Sequence, residues 1–177
     1  MDRSKYDDIQ PYFGEKFEEG KKRLLSRKEF IGAFIYMVSG GDFSAVATMT
    51  KAIEDSMVDV HSYDEFQHKV TDGFFIPAII KNTMTGFSVS GGEKLDKDKG
   101  YLFISNHRDI ILDCTLLDYA LKINGLPLCE MAVGDNLMVN QLVEDLFRMN
   151  GGIIIKRNLP MRVKYLESIR ISEYFVE

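Results

Sequence analysis

Hydrophobic and polar positions follow two rhythms along this chain, and the change between them falls near residue 86. Before it, apolar residues recur every three or four positions, the spacing of one face of a helix. Residues 12–25 carry Tyr12, Phe13, Phe17, Leu24 and Leu25 in this way, and residues 27–38 form a more apolar segment around FIGAFIYM. Ser26 with Glu29 three positions later has the signature of a capping box at the start of that second helix. Gly40-Gly41 marks a turn, and residues 43–58 return to helical spacing through Val46, Met49 and Ile53. Ser62 and Glu65 repeat the capping pattern ahead of a helix through Phe66 and Val70. In the segment 74–84 that follows, Pro77 suits only a position near a helix start.

Beyond that point the pattern alternates. Residues 85–90 read as a strand, Gly91-Gly92 as a turn, and residues 94–99 as a solvated charge run. Strands are expected at 101–105, 129–133 and 152–156, and helices at 110–123, 137–149 and 161–175. Strands alternating with helices predict an α/β fold: a largely parallel sheet with helical crossovers, preceded by a helical N-terminal region. The expected division is a helical region at 1–85 and an α/β domain at 86–177. The pattern ends on a helix where another strand is due, so the sheet is expected to be incomplete, with the exposed edge that natural proteins usually cover. The chain is accordingly expected to be part of a longer protein.

Composition narrows the function classes. A hydrophobic content of 45% and a charged content of 28% over 177 residues are ordinary for a soluble globular protein. The net charge of −5 argues against nucleic acid as the main partner, because a phosphate backbone needs a basic face. Two cysteines outside any C-x-x-C, only three histidines and no signal peptide point to reduced thiols in a cytoplasmic protein with no metal and no cofactor. No apolar run approaches the roughly 18 residues of a membrane-spanning helix. The basic cluster Lys21, Lys22, Arg23, Arg27 and Lys28 beside the apolar 30–37 has two readings. It is either the solvated face of a helix or a peripheral contact with the anionic inner face of a membrane.

The candidate chemistry sits in YLFISNHRDIILD, residues 101–113. His107 falls where an apolar strand gives way to a helix, and in open α/β sheets ligands bind outside the carboxyl ends of the strands. With Asp109 and Asp113 close by, it has the parts of a general base and an orienting carboxylate. Asp109 is equally suited to capping the helix that follows. Gly134 and Asp135 close the neighbouring strand and are expected to line the same crevice.

Taken together, SNHRDIILD and the later GGIIIKR resemble the glycerophospholipid acyltransferase family. Its best-known members are 1-acylglycerol-3-phosphate acyltransferases, and soluble bacterial relatives with a helical N-terminal extension look similar over SNHRDIxLD. The first family block is an Asn-His pair and an aspartate, spaced H-x-x-x-x-D. Asn106-His107 matches the pair, but position 112 is Leu and the aspartate comes one residue later, at Asp113. Leu116 and Leu117 beyond it favour Asp113, and Asp109 remains the alternative acid partner. The second block, a glycine, an apolar strand and an arginine, matches Gly151 through Arg157 with Ile in place of the usual phenylalanine. Blocks of the Glu-Gly-x-Arg and proline-containing types are absent and would fall beyond Glu177, so this chain is expected not to be fully active alone.

The resemblance implies that His107 and Asp113 are catalytic, and that Arg157 helps to bind an acceptor phosphate. Asn106, Arg108, Gly151 and Gly134 join it as substrate-binding candidates. The implied reaction moves a fatty acyl group from acyl-CoA or acyl carrier protein to the hydroxyl of a lysophosphatidate-like acceptor in phospholipid synthesis. Two other classes stay open: a thioester or ester hydrolase using the same His–Asp pair, and a non-catalytic lipid-binding protein. Neither Ser105 nor Cys114 sits in a G-x-S-x-G elbow, which counts against a serine hydrolase.

Overall fold

Helical spacing in the first half becomes a bundle with a single apolar core. The computed structural model describes residues 3–176. In it α1 (Gly14–Leu25), α2 (Lys28–Val38) and α3 (Phe43–Met57) are followed by an unbroken helix over 63–83. Phe17, Ile35, Ile53, Met57, Phe66 and Val70 are fully or almost fully buried in this core, as the three-to-four spacing of those residues requires. Asp42 caps α3 by accepting from the Ser44 N–H at 2.8 Å, and Ser62 caps the long helix by accepting from the Glu65 N–H at 3.2 Å.

One helix boundary differs here from that which the sequence suggests. Ser26 does not cap α2: it closes α1 in helical conformation, its hydroxyl donating to the Arg23 carbonyl at 2.7 Å. Pro77 lies near a helix start, as expected, at the second residue of α5, but that start falls inside a longer helix. The 63–83 helix consists of α4 (Tyr63–Phe66), a π-helical segment (Gln67–Phe75) and α5 (Ile76–Thr83). Proline lacks an N–H and its ring crowds the carbonyl four residues back. The wider π turns just before it let the helix continue.

The second half is α/β, as expected, with a small and open sheet. After α6 (Leu112–Ile123), β1 (Met131–Gly134) leads through α7 (Gln141–Met149) to β2 (Gly152–Ile155) and then α8 (Met161–Val176). β1 and β2 pair in parallel, Met131 opposite Gly152 and Gly134 opposite Ile155, with α7 as the crossover. Asn140 caps α7 by accepting from the Val143 N–H, so that helix begins later than its apolar pattern suggests. The expected strands at 85–90 and 101–105 join no ladder. Leu102 is 67% exposed and Ile104 87%. Apolar character shows that a segment can be buried, but a strand also needs a partner for its backbone groups. The edge of β2 away from β1 is already occupied by the N-terminal segment, where the Ile9 carbonyl accepts from the Ile154 N–H at 2.8 Å.

α7 joins the two halves. Asp145 is completely buried and accepts from Arg23 Nε at 2.8 Å and Nη2 at 2.9 Å, from Gln141 Nε2 at 3.0 Å and from the Tyr12 hydroxyl at 3.2 Å. Burial pushes the Tyr12 phenol up to about 12. Arg148 lies over the Tyr12 ring and donates to the carbonyls of Gln10 and Asp7. On the far side of β2, Tyr6, Ile9, Ile153, Ile154 and Tyr174 form a smaller core, edged by Arg170 and Lys156 on Asp8.

Part of the basic cluster is engaged within the protein, while Lys22, Arg27 and Lys28 are exposed. Lys21 donates to the Val60 carbonyl, Arg23 holds Asp145 and Lys28 pairs with Glu54. Among the described residues no helix is long and apolar enough to cross a membrane.

Arg23 touches a buried and a surface carboxylate, Asp145 and Glu19, the latter at 3.6 Å. Arg23→Ala leaves a charge buried and is expected to cost about 3–5 kcal/mol. Glu19→Ala is expected to cost under about 1 kcal/mol. Urea denaturation of the two variants checks the contrast. Burial raises the Asp8 carboxyl, but Arg170 and Lys156 outweigh it and hold it well below its ordinary 3.8. A lowered carboxylate stabilises the fold above its unfolded value and loses that effect as pH falls through the folded value. Asp8→Asn should therefore lower Tm at pH 7, with the gap to wild type narrowing steadily below about pH 4.

Candidate active site

A short coil, 105–111, carries the candidate residues into the first turn of α6. Two carboxylates organise it. Asp109 Oδ1 accepts from the N–H groups of Ile111 at 2.9 Å and Leu112 at 2.8 Å, capping the helix start. Asp113, in the first turn, reaches back: its Oδ2 accepts from the N–H groups of Arg108 at 2.6 Å and Asp109 at 2.9 Å, and lies 2.9 Å from His107 Nδ1. Those backbone donors are the main reason that both carboxyls lie below their ordinary value, with the His107 ring contributing to Asp113. The carboxylate that meets the imidazole is thus Asp113, while the Asp109 oxygen is engaged by the helix start.

Ionised Asp113 can only accept, so the proton on the shared edge belongs to His107 Nδ1. In the neutral ring this leaves a lone pair on Nε2. The imidazole is well exposed, as are Asn106 and the Arg108 side chain. The N–H groups of Arg108, Asp109, Ile111 and Leu112 are taken up by the two carboxylates.

Arg157 and Gly134 come together at the carboxyl end of the sheet. The Arg157 N–H donates to Asp135 at 3.2 Å, and its guanidinium runs so close to Gly134 that an added Cβ there would meet Nε at 2.5 Å. Any side chain at 134 would displace that arginine. Gly151 sits at the opposite end of β2 with a φ of +78°, where a Cβ would meet Gln67 Nε2 at 2.8 Å. It is a turn position packed against the long helix. No hydrogen bond or ion pair links His107 to Arg157.

Sequence reasoning missed the polar groups that hold this region in place. Buried Gln67 donates to the carbonyls of Cys129 at 3.0 Å and Asn150 at 3.1 Å, just ahead of the two strands. Glu130 accepts from the Tyr63 and Tyr174 hydroxyls. Asp118 is 1% exposed and accepts from Cys129. The available signal was a lone carboxylate inside an apolar helical run, LLDYAL. Among the described residues, no group of three or more His, Cys, Asp or Glu is placed to hold a metal ion.

Comparison with known proteins places this architecture. No curated protein and no solved structure matches the chain. Residues 86–173, from the segment before the histidine coil through most of α8, match the family model described as Acyltransferase. Through this half of its length, the chain belongs to the Acyltransferase family.

Proposed function

We propose that this chain takes part in fatty acyl transfer from a thioester, on CoA or acyl carrier protein, to the hydroxyl of a lysophosphatidate-like acceptor. The observation that carries the reading is the contact of 2.9 Å between His107 Nδ1 and an Asp113 carboxylate fixed by two backbone N–H groups. That contact selects the tautomer in which Nε2 can act as a base, and it would stabilise the imidazolium once formed. Nε2 takes the proton of the acceptor hydroxyl as its oxygen attacks the thioester carbonyl. Collapse of the tetrahedral intermediate breaks the C–S bond, and the departing thiolate recovers the proton from His107. The substrate alcohol is the nucleophile, so no acyl-enzyme forms.

The guanidinium of Arg157, laid against Gly134 at the carboxyl end of the sheet, is suited to an acceptor phosphate through its forked donors. Arg108, exposed beside His107, offers a second cation to the same headgroup. Exposed Tyr101, Leu102, Ile104 and Ile110 flank the histidine and supply apolar surface for an acyl chain or a membrane face. The coarse reading, an acyltransferase domain, comes from the family. Donor, acceptor and peripheral membrane contact are part of the proposal.

The deciding assay follows acyl transfer from long-chain acyl-CoA or acyl carrier protein to 1-acylglycerol-3-phosphate. His107→Ala should lower kcat by roughly 10²–10⁴-fold, and Asp113→Ala should approach it. Asp109→Asn, which keeps an accepting oxygen for the helix start, should stay within about threefold of wild type. His107→Ala with wild-type rates would sink the mechanism. Thioester cleavage at a rate indifferent to acceptor would favour a hydrolase instead. Arg157→Ala should raise KM for the phosphate acceptor by about tenfold or more, since a charged hydrogen bond contributes about 1.5–3 kcal/mol. KM for a monoacylglycerol should not move, and an equal effect on both acceptors would remove Arg157 from phosphate binding.

A further inference from the structure

The helix that carries Asp113 is lightly held, because only Asp118 and Leu121 of α6 are buried. Asp118 is the unexpected member of that pair. Its Oδ1 accepts from the Cys129 N–H at 3.1 Å and from the Cys129 thiol at 3.3 Å. The carbonyl of the same residue accepts from Gln67, so Cys129 is gripped on both sides two residues before β1. β1 then runs straight to Gly134, on which Arg157 rests. One turn further along α6, Lys122 pairs with Asp72 at 2.6 Å, a tie on the more exposed rim of the helix.

We propose that Asp118 is a positioning residue, whose carboxylate fastens the helix that carries Asp113, the partner of His107, to the start of the strand that ends at Gly134, against which Arg157 lies. The inference rests on the proposed acyl transfer for its kinetic meaning but not for its geometry. A leucine at 118 would bury more apolar surface with no charge to desolvate, so a carboxylate there contributes direction rather than bulk. Its hydrogen bonds set where α6 lies along the start of β1, and with it the offset between base and phosphate-binding arginine. Burial pushes the Asp118 carboxyl up to about 6. The groups facing it are Cys129 from the strand side, Asp72 from the long helix, and Cys114 on α6 itself, with Lys122 held by Asp72.

The test compares Asp118→Ala, Asp118→Asn, Asp118→Leu and Lys122→Ala in the whole chain. Amide exchange is followed over α6 and at Cys129, the His107 ring and Arg157 Nε resonances by NMR, and kcat and KM in the transfer assay. Asp118→Ala should speed exchange at Cys129 and over 115–121 at least tenfold and shift both the His107 and Arg157 signals. It should also lower kcat and raise KM for the phosphate acceptor together, while α1–α3 stay protected. Asp118→Asn keeps an oxygen for the Cys129 N–H and should return every readout to within about threefold. Asp118→Leu fills the space without an acceptor, and should stay folded and show the exchange and signal changes named for alanine even if the alanine variant fails to fold. Lys122→Ala should leave transfer unchanged.

Unchanged exchange at Cys129 in the leucine variant would overturn the proposal. So would faster exchange with unmoved His107 and Arg157 signals. If wild type transfers no acyl group, the functional reading falls, and the exchange and NMR arms still decide whether Asp118 couples the two ends of the site.

Discussion

Side chains six residues apart on a helix point away from each other. His107 and Asp113 can therefore meet only if the chain turns sharply just before the helix begins, and the local structure follows from that constraint. Asp109 ends the coil by holding the N–H groups of Ile111 and Leu112, which starts α6 at the right residue. Asp113, in the first turn, then draws the N–H groups of Arg108 and Asp109 onto the same oxygen that meets the imidazole. Neither carboxylate is sufficient alone. Without the first the helix start is undefined, and without the second the histidine has no fixed orientation.

What the sequence could and could not reveal follows from the range of each interaction. Helices in the first half were legible because a buried face repeats within a few residues, and capping residues act locally, as at Ser62. Local patterns misled where a distant partner decides the outcome. Residues 101–105 look like a buried strand, but pairing depends on an edge far along the chain, and one edge of β2 is covered by Ile9. The helix around Pro77 depends on a π distortion that no spacing rule anticipates. At the candidate site, the choice between Asp109 and Asp113 needed three dimensions, since both lie within reach of His107 by residue count. The closeness of Gly134 and Arg157, 23 residues apart, is set by the parallel register of β1 and β2.

Two strands of four residues, though mostly buried, make only a short ladder. Apolar contact alone is non-directional and leaves the placement of so small a sheet loosely determined. The compensation lies in buried polar groups at the element junctions. Asp145 binds α7 to α1, Gln67 ties the long helix to the residues ahead of both strands, and Asp118 ties α6 to the start of β1. Each is an intermediate in cost between a well-packed apolar contact and an unpaired charge, because each polar atom is met by specific donors.

That choice has a consequence for where flexibility lies. Asp145 has four donors and Gln67 bridges two carbonyls, so the bundle, α7 and the start of the sheet form the well-determined part of the molecule. α6 is held to it by Asp118 and buried Leu121, with the Lys122–Asp72 pair on its exposed rim and the coil carrying His107 exposed beyond. The candidate base therefore stands on an exposed coil ahead of a lightly held helix, while the candidate phosphate-binding arginine stands at the end of the sheet. Local opening concentrates where buried contacts are few. Motion in this protein should accordingly alter the separation of base and arginine before it disturbs either group's own surroundings, which makes their relative placement the structural variable most closely tied to the proposed chemistry.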